Sequence, residues 1–497
     1  MNASKYKTKP YRHQLDCLNK FGRREAFALL AEMGTGKTWI IINNVADLWA
    51  SGDCDGMLVL APNGVHSNWT RLELPTHMPD WVRYRSAAWY ASPRKDDAKA
   101  LNELYADAGS GELRILTMNW EAIQSKRGAD EAHRFASCFR RLMIVADESD
   151  AIKNPTARRT KALMRLRHYS HWRRIMTGTP INNAPFDLFS QFAFLDETIL
   201  QTSSFYAFKA EYADLLPAHS PLMRHISRGS RFKPQIVQKD KSGKKMWRNL
   251  DKLSALIAPH SFRVLKSECL DLPEKIYKTL HFDLTREQTA AYKKMEEECR
   301  VLMADGAETI FNKLVAVSKL AQITSGYCIT PEGSEPLRID GGNPKLDLLV
   351  ERVAAIADEG NKVIVWARYR IEIADIVARL EAEGHTVVQY HGGVNKEDRT
   401  AAIEAFERGD ANVFVGNQQA GGTGITLVAA SYVIYFSNNF SLRDRLQSED
   451  RAHRIGQTRA VTYINIAARG TIDETVVWAL INKKDVAETI INKGLAP

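Results

Sequence analysis

The residues best suited to chemistry stand in a glycine-bearing loop at positions 31–38, Ala-Glu-Met-Gly-Thr-Gly-Lys-Thr. Gly34 and Gly36 would let backbone N–H groups wrap around a phosphate, because glycine adopts positive φ without steric penalty. Lys37 would reach the β- and γ-phosphates of a nucleoside triphosphate, and the Thr38 hydroxyl would be a ligand of Mg²⁺. The predicted nucleotide-binding loop contains Met33, Gly34, Thr35, Gly36, Lys37 and Thr38.

Two adjacent acids end the apolar run at positions 142–148, Leu-Met-Ile-Val-Ala-Asp-Glu. Asp147 would hold Mg²⁺, and Glu148 would orient or deprotonate an attacking water. The alternative is that the pair is only an acidic N-cap of the next helix. The nucleotide loop upstream favours the catalytic interpretation.

A third candidate group lies near the C-terminus, where Arg451 and Arg454 follow Gln447. Two arginines three positions apart share one face of a helix, so both guanidinium groups can reach one small anion. We expect them to act as arginine fingers from a second domain, neutralising charge on the transferred γ-phosphoryl group. The alternative is a basic helix face that contacts DNA phosphates or solvent.

Apolar runs predict the elements that would position these residues. Each run ends in a polar or glycine-bearing turn, and most are followed by a helical pattern, which is typical of parallel sheets with helices on both faces. In the first half the predicted strands are residues 26–30, 57–61, 114–118, 142–146 and 174–177. In the second half they are residues 362–367, 386–390, 413–416, 432–436 and 462–467.

The fold class predicted from this pattern is α/β, with two parallel-sheet domains and a helical insertion and connector between them. We expect the first domain at 1–195, the insertion, basic loop and connector at 196–342, and the second domain at 343–497. Ligand sites in such sheets lie at the carboxyl ends of the strands, where the loop and the acid pair fall. Trp69, Trp120 and Trp366 are interpreted as core residues rather than base-stacking residues.

Composition excludes several classes of protein. With 44% hydrophobic and 26% charged residues, a globular chain is expected, and no apolar run is long enough to span a membrane. The N-terminus has no apolar signal region, and six scattered cysteines form no C-x-x-C pair. We therefore expect a cytoplasmic protein with reduced thiols, nucleoid-associated when it is on DNA.

Positive charge is concentrated in one segment. The chain carries a net charge of +9, and residues 224–248 hold nine lysines or arginines against one acid, Asp240. This segment, with Lys244 and Lys245, is interpreted as a salt-dependent contact with a phosphate backbone. The alternative is a solvated loop.

Taken together, these segments resemble the Snf-type ATP-dependent DNA translocases of helicase superfamily 2, in the order in which that family carries its motifs. The ending His-Arg-Ile-Gly-Gln at 453–457 is specific to this family among helicases. Residues 243–253 resemble the helical insertion of the annealing-helicase branch. The matching motif segments are residues 11–14, 32–38, 60–62 with 68–69, 117–121, 147–154 (motif II), 176–183 (motif III), 420–427 and 447–457.

The resemblance implies two RecA-like domains that close on ATP and Mg²⁺ and move along double-stranded or forked DNA as a monomer, without sequence specificity. Gln14 would read adenine, and Gly424 would contact ATP. The residues implied in coupling hydrolysis to movement are Asp150, Thr177, Gly178, Thr179 and Gln447. The residues implied in DNA contact are Pro62, Asn63, Thr117, Asn119, Gly422 and Thr423.

One departure from the family leaves alternatives open. Asp150 stands where the family usually has a histidine that ties hydrolysis to motif III, so the coupling contact is in question. Two other functions remain possible interpretations: a strand-separating DNA or RNA helicase, and a weakly hydrolysing, ATP-gated clamp on nucleic acid.

Overall fold

The computed structural model describes most of the chain, namely residues 5–106, 111–217, 220, 235–241, 244–269, 271–304, 310–328, 336–419 and 425–493. Contacts divide the chain into two compact units. The first contains residues 1–270 and 482–497, and the second contains residues 271–481. Within the described residues, no helix has both the length and the apolar character needed to cross a bilayer.

The first unit is built on a sheet of seven parallel strands in the order β3-β4-β2-β5-β6-β1-β7. The strands are β1 (Ala26–Ala31), β2 (Gly56–Ala61), β3 (Tyr84–Ala88), β4 (Leu113–Asn119), β5 (Leu142–Asp147), β6 (Ser170–Met176) and β7 (Ser261–Val264).

Helices flank this sheet. The described α-helices of the first unit are α1 (Arg12–Phe21), α2 (Lys37–Ala50), α3 (Val65–Asn68), α4 (Leu74–His77), α5 (Lys95–Glu103), α6 (Lys126–Ser137), α7 (Arg158–Leu166), α8 (Leu188–Leu195), α9 (Phe205–Tyr212), α10 (Leu250–Ile257) and α11 (Lys266–Cys269). A π-helical turn, Trp69–Glu73, joins α3 to α4.

The central strands of the first sheet are apolar throughout because both faces of the sheet are covered. Along β2, Leu58 and Leu60 pack into one core cluster, while Met57 and Val59 pack into another on the opposite face. Side chains alternate between the two faces of a strand, so a continuous apolar run fills two cores at once.

The second unit repeats this plan with six parallel strands in the order β12-β13-β11-β14-β15-β8. The strands are β8 (Lys275–Phe282), β11 (Lys362–Trp366), β12 (Val387–Tyr390), β13 (Val413–Gly416), β14 (Ala430–Tyr435) and β15 (Val461–Ala468); β9 (Tyr327–Cys328) and β10 (Leu337–Arg338) form a separate antiparallel pair. The described helices are α12 (Arg286–Ala304), α13 (Ile310–Thr324), α14 (Pro344–Asp358), α15 (Arg370–Ala382), α16 (Lys396–Arg408) and α17 (Leu442–Ala452). A last helix, α18 (Ile472–Lys493), begins in the second unit, and its residues from Asn482 onward belong to the first.

The structure confirms the predicted fold class and all ten predicted strands, with bounds that differ by a few residues. The sequence did not predict β3, β7 or β8. Strands β7 and β8 lie in the segment predicted as insertion and connector, and they pair with the first and second sheets, respectively. The division at 195 and 342 stays a prediction.

Candidate functional site

The nucleotide loop leaves the sheet at the end of β1 and leads into α2. Gly34 and Gly36 both have φ of 80°, the left-handed region that favours glycine. A Cβ atom at Gly36 would also collide with the side-chain nitrogen of Gln14. Both glycines are therefore required by the backbone, as the sequence predicts for a loop that wraps a phosphate.

Lys37 is folded back onto its own loop. Its Nζ donates to the carbonyl oxygens of Ala31, at 2.9 Å, and Glu32, at 3.3 Å. Thr38 lies half-buried in the first turn of α2, and Met33 and Thr35 complete the loop. A phosphate group could replace the two carbonyls as acceptor, because an ammonium carries three donors.

Gln14 is buried on α1 against the same loop. Its Oε1 accepts from the Tyr11 N–H at 2.8 Å, and its Nε2 donates to the Gly36 carbonyl at 3.3 Å. The neighbouring His13 ring contacts the Thr35 carbonyl at 2.8 Å. The structure thus gives Gln14 a role in shaping the loop, and its contact with adenine stays a prediction.

The acid pair stands at the end of β5. Asp147 and Glu148 are both buried, and Glu148 has φ of 49°, an uncommon backbone conformation for a residue with a side chain. Thr177, after β6, donates its hydroxyl to Glu148 Oε2 at 3.4 Å. The strained backbone turns the Glu148 carboxylate toward Thr177, so two predicted site residues meet here.

Asp147 is held by two tryptophans that the sequence assigned to the core. Trp69 Nε1 donates to Asp147 Oδ2 at 3.0 Å, and Trp120 Nε1 donates to the backbone carbonyl of Asp147 at 3.1 Å. Both rings are buried, as is Trp366, so the core interpretation is confirmed. Their hydrogen bonds to Asp147 escaped prediction, because no local sequence signal shows which buried atom an indole N–H will meet.

The environment of Asp147 suits a divalent cation. Burial and the adjacent Glu148 carboxylate raise its pKa to about 7, while the Trp69 N–H and Lys37 oppose the rise. A cation would favour the ionised form. The described residues contain no cluster of three or more metal-ligating acids, histidines or cysteines. The donor chemistry of Asp147 and Thr38, a carboxylate and a hydroxyl, fits Mg²⁺, which takes few protein ligands and completes its shell with phosphate and water.

Asp150 makes a buried contact with the motif III segment. Asn182 Nδ2 donates to Asp150 Oδ2 at 2.8 Å. In the same segment the Thr179 N–H donates to Thr177 Oγ1 at 3.0 Å. The position that departs from the family is therefore still joined to motif III, through an acid–amide pair.

Motif III also packs on the nucleotide loop. A Cβ atom added at Gly178 would lie 3.3 Å from the Met33 nitrogen and 3.4 Å from the Ala31 carbonyl oxygen. A side chain at this position would be a tight fit, and the two backbones would have to move apart by a few tenths of an ångström. The predicted coupling residues Asp150, Thr177, Gly178 and Thr179 thus adjoin both the acid pair and the loop.

The residues predicted to contact DNA fall into several groups. Asn63 and Asn119, at the ends of β2 and β4, come together: Asn119 Nδ2 donates to Asn63 Oδ1 at 3.5 Å. Thr117 is buried and donates to the His66 carbonyl at 2.8 Å, while the Pro62 carbonyl accepts from Val65 and His66 N–H groups. Lys244 and Lys245 lie in a different segment, and Gly422, Thr423 and Gly424 lie outside the described residues.

In the second unit, the two predicted arginine fingers converge. Nη1 of Arg451 and Nη1 of Arg454 each lie 3.4 Å from the carbonyl oxygen of Ile425. Both guanidinium groups therefore reach one acceptor, as their spacing predicts. Gln447 is buried one turn before Arg451 on α17. Burial lowers the pKa of Arg454, and Asp450 opposes this.

Glu449 anchors the finger helix in the second unit. Its carboxylate accepts from Arg445 Nε at 2.8 Å, Tyr277 OH at 2.7 Å and Lys275 Nζ at 3.3 Å. Burial would raise its pKa, but Lys275 and Arg445 outweigh burial and hold the pKa below the usual range. The carboxylate therefore stays charged and ties α17 to β8.

The family-specific segment at residues 453–457 is held in place by hydrogen bonds within the second unit. Gln457 Nε2 donates to the carbonyls of Val428, Ala430 and Ala452 at 2.9–3.1 Å, and His453 Nε2 contacts the Pro273 carbonyl at 2.7 Å. These bonds fix the segment that follows the two arginines.

The chain was compared with known relatives and solved structures. It is 26% identical over 472 residues to YwqA of Bacillus subtilis (strain 168), covering 93% of this chain and 46% of that protein. It is 26% identical over 474 residues to the Chromodomain-helicase-DNA-binding protein 1-like of Danio rerio, and the match covers 93% of this chain and 42% of that protein. The Sulfolobus solfataricus SWI2/SNF2 ATPase core in complex with dsDNA shares 25% identity at a TM-score of 0.42, covering 100% of this chain and 95% of that one.

The chain thus spans less than half of the length of these two curated relatives. The family described as "Helicase conserved C-terminal domain" matches residues 344–456. The family described as "SNF2-related domain" matches residues 13–325, more than half of the 497 residues. The chain therefore belongs to the SNF2-related family, as its motifs predict.

Proposed function

We propose that the protein is a translocase on double-stranded DNA that hydrolyses ATP when DNA stimulates it. The observation that most supports this function is the meeting of the Lys37 loop, the Asp147–Glu148 pair and Gly178 at the strand ends of one sheet. The name of a relative, Chromodomain-helicase-DNA-binding protein 1-like, is consistent with a motor that acts on DNA.

The loop binds the phosphates of ATP, and Lys37 moves from its two carbonyl acceptors to the β- and γ-phosphates. Glu148, held by Thr177, orients the attacking water and accepts its proton. Arg451 and Arg454 neutralise the charge that develops on the γ-phosphoryl group. Thr38 and Asp147 would hold Mg²⁺, which supplies further charge neutralisation at the phosphates.

DNA is held by its backbone, without reading of base sequence. Asn63 and Asn119 lie side by side at the surface and supply amide donors to phosphate oxygens. Pro62 and Thr117 hold the local backbone, and Lys244 and Lys245 add positive charge. We assign Gly422 and Thr423 to the same function and Gly424 to ATP, on the family resemblance alone.

We also propose that one chain is the working unit and that it acts in the cytoplasm, on the nucleoid when it is bound to DNA. The five cysteines that the structure describes are free, which fits a reducing compartment.

The direct test is the rate of ATP hydrolysis with duplex, single-stranded and forked DNA and with duplex RNA. The proposal expects the largest stimulation from DNA that contains duplex. It also expects disruption of a triplex without separation of the duplex strands. Strand displacement would instead support the helicase alternative, and a slow rate indifferent to DNA would support the clamp.

Lys37→Ala should abolish hydrolysis and leave duplex binding intact, because Lys37 contacts phosphates of ATP and no DNA. We expect a loss of roughly 10²–10³-fold in kcat, the usual cost of removing one donor to a developing anion. Lys20→Ala, at an exposed position on α1, is the control with the same change of charge. A kcat of Lys37→Ala equal to that of Lys20→Ala would refute the assignment of the loop.

A further inference from the structure

A small antiparallel fold-back follows α9 in the first unit. Isolated bridges pair Ala213 with Trp247, Leu215 with Val237, and Lys239 with Lys245. The pairing brings the described end of the basic segment against α9. Three lysines, one on α9 and two on the fold-back, come together as a result.

These lysines lie on a cluster of aromatic rings. Lys209 Nζ is 4.9 Å from the ring centroid of Phe205 and 5.5 Å from that of Phe186. Lys245 Nζ is 5.8 Å from the Trp247 ring, which itself meets Phe186 edge-on at 5.4 Å. Both ammonium groups are within range of a cation–π attraction. We call Lys209, Lys239, Lys245, Phe186, Phe205 and Trp247 the lysine–aromatic surface.

The lysines of this surface repel one another. Lys239 and Lys245 stand directly opposite across the fold-back, an arrangement that destabilises paired strands. Burial and Lys245 lower the pKa of Lys209, and burial and Lys239 lower the pKa of Lys245. The structure thus maintains an excess of positive charge at a cost in stability.

No carboxylate among the described residues comes within ion-pairing distance of these three lysines. The acid that acts on Lys245 is Asp187, and its Oδ2 is already occupied, accepting from the N–H groups of Asn182 at 2.8 Å and Asn183 at 2.7 Å. In the described part of the first unit, these three lysines therefore have no carboxylate paired with them.

Two further lysines, Lys483 and Lys153, extend this positive charge toward motifs II and III. Lys483, which belongs to the first unit, donates to Asn183 Oδ1 at 2.9 Å. Burial, together with Lys245 and Lys153, lowers its pKa to about 8. Lys153 lies within motif II and Asn183 ends motif III, so the lysine–aromatic surface adjoins both.

We propose that the lysine–aromatic surface binds a stretch of nucleic-acid phosphate backbone outside the motif-based DNA contacts. Phosphodiesters present regularly spaced single charges that flexible ammonium groups can follow, and binding would relieve the repulsion between the lysines. An acidic protein is a poorer fit, because lysine is depleted at protein–protein interfaces. This inference rests on the proposed function for its choice of DNA as the probe.

The test is the double variant Lys209→Gln, Lys245→Gln, measured for binding to a duplex DNA oligonucleotide over a series of salt concentrations without nucleotide. Each lost phosphate contact should reduce the slope of log affinity against log salt by about 0.9, so we expect a decrease of about 1.8. The control is Lys95→Gln, Lys99→Gln, which makes the same charge change on the exposed helix α5 and should keep the wild-type slope.

Duplex RNA is the second probe. If the lysine variant loses as much slope on RNA as on DNA, the surface recognises the phosphodiester backbone that both share. If it loses slope on DNA alone, the surface recognises DNA geometry. The inference is overturned if the lysine variant and the control have the same slope at equal melting temperature. If wild-type ATPase is stimulated by DNA in that case, only this inference fails. If DNA binds with the expected slopes but never stimulates hydrolysis, the proposed function fails and the surface stands.

Discussion

Among single residues, Trp69 and Trp120 make a matched pair around Asp147. Both are buried tryptophans that donate one indole N–H, but Trp69 bonds the carboxylate and Trp120 bonds the backbone carbonyl. Of these two bonds, the one from Trp69 reaches the carboxylate and restrains its rotation. Trp69 is therefore a positioning residue for the atom that would hold Mg²⁺.

Trp69→Phe should weaken Mg²⁺ binding while keeping most of the buried ring. A hydrogen bond to a charged group is worth about 1.5–3 kcal/mol, so we expect the Mg²⁺ concentration at half-saturation to rise roughly tenfold or more. The measurement is the Mg²⁺ dependence of nucleotide binding at equilibrium, with the ATPase rate beside it. Trp120→Phe is the control, and an equal rise in both variants would mean that the effect is general loosening of the core.

The sequence predicts the residues that carry chemistry better than it predicts the hydrogen-bond partners that position them. Asp147 was identified because two acids follow an apolar strand, a pattern contained within seven positions. Its partner Trp69 lies 78 positions away, and only the pairing of β2 with β5 brings their segments together. Contacts of this kind depend on tertiary packing, which has no local signature.

Among the elements, the turns after β5 and β6 act as one joined layer. Asn182 bonds Asp150, Thr177 bonds Glu148, and Ser149 Oγ donates to Gln191 Oε1 on α8 at 2.7 Å. The first two bonds cross directly between motif II and motif III, and the third crosses through Gln191, whose Nε2 donates to the Pro180 carbonyl at 2.8 Å. A movement of one motif would therefore displace the other.

Asp150→Ala should lower the ratio of DNA-stimulated to basal ATPase, because it cuts the buried bond between the two turns. Leaving Asn182 Nδ2 without that acceptor should also reduce stability by about 1–3 kcal/mol. Thr160→Ala is the control, since it removes buried bonds to the Ile152 and Asn154 carbonyls that join motif II to α7 and do not run to motif III. The coupling role is wrong if both variants lose stability and both retain the wild-type stimulation ratio.

Strands β7 and β8, which the sequence did not predict, lack the long apolar run that identifies a strand buried on both faces. Strand β8 lies at the edge of its sheet and most of its residues are exposed, Tyr277 among them, so it lacks the apolar run that marks a central strand. Strand β7 has four residues, too few to show a period. The central strands were found because both of their faces are buried.

For the whole molecule, the predicted site residues are divided between the two units. Lys37, Asp147 and Glu148 belong to the first, while Arg451 and Arg454 belong to the second. Nucleotide binding should therefore depend on the first unit, whereas hydrolysis should need residues of both units. The buried ion pairs of Glu449, at 2.8 Å and 3.3 Å, keep the arginine-bearing helix α17 fixed within its own unit.

Arg454→Ala should separate the two activities. Affinity for a fluorescent ATP analogue should stay close to that of the wild type, because the loop of the first unit binds the phosphates, while kcat should fall by roughly 10³–10⁵-fold, the usual worth of an arginine finger. Arg459→Ala is the control: Arg459 is an exposed arginine just beyond the same segment, where it bonds Asn361 and the Ala429 carbonyl. A variant of Arg454 that loses ATP affinity as well as turnover, or that hydrolyses ATP as fast as Arg459→Ala, would show that the second unit does not act on the γ-phosphoryl group as proposed.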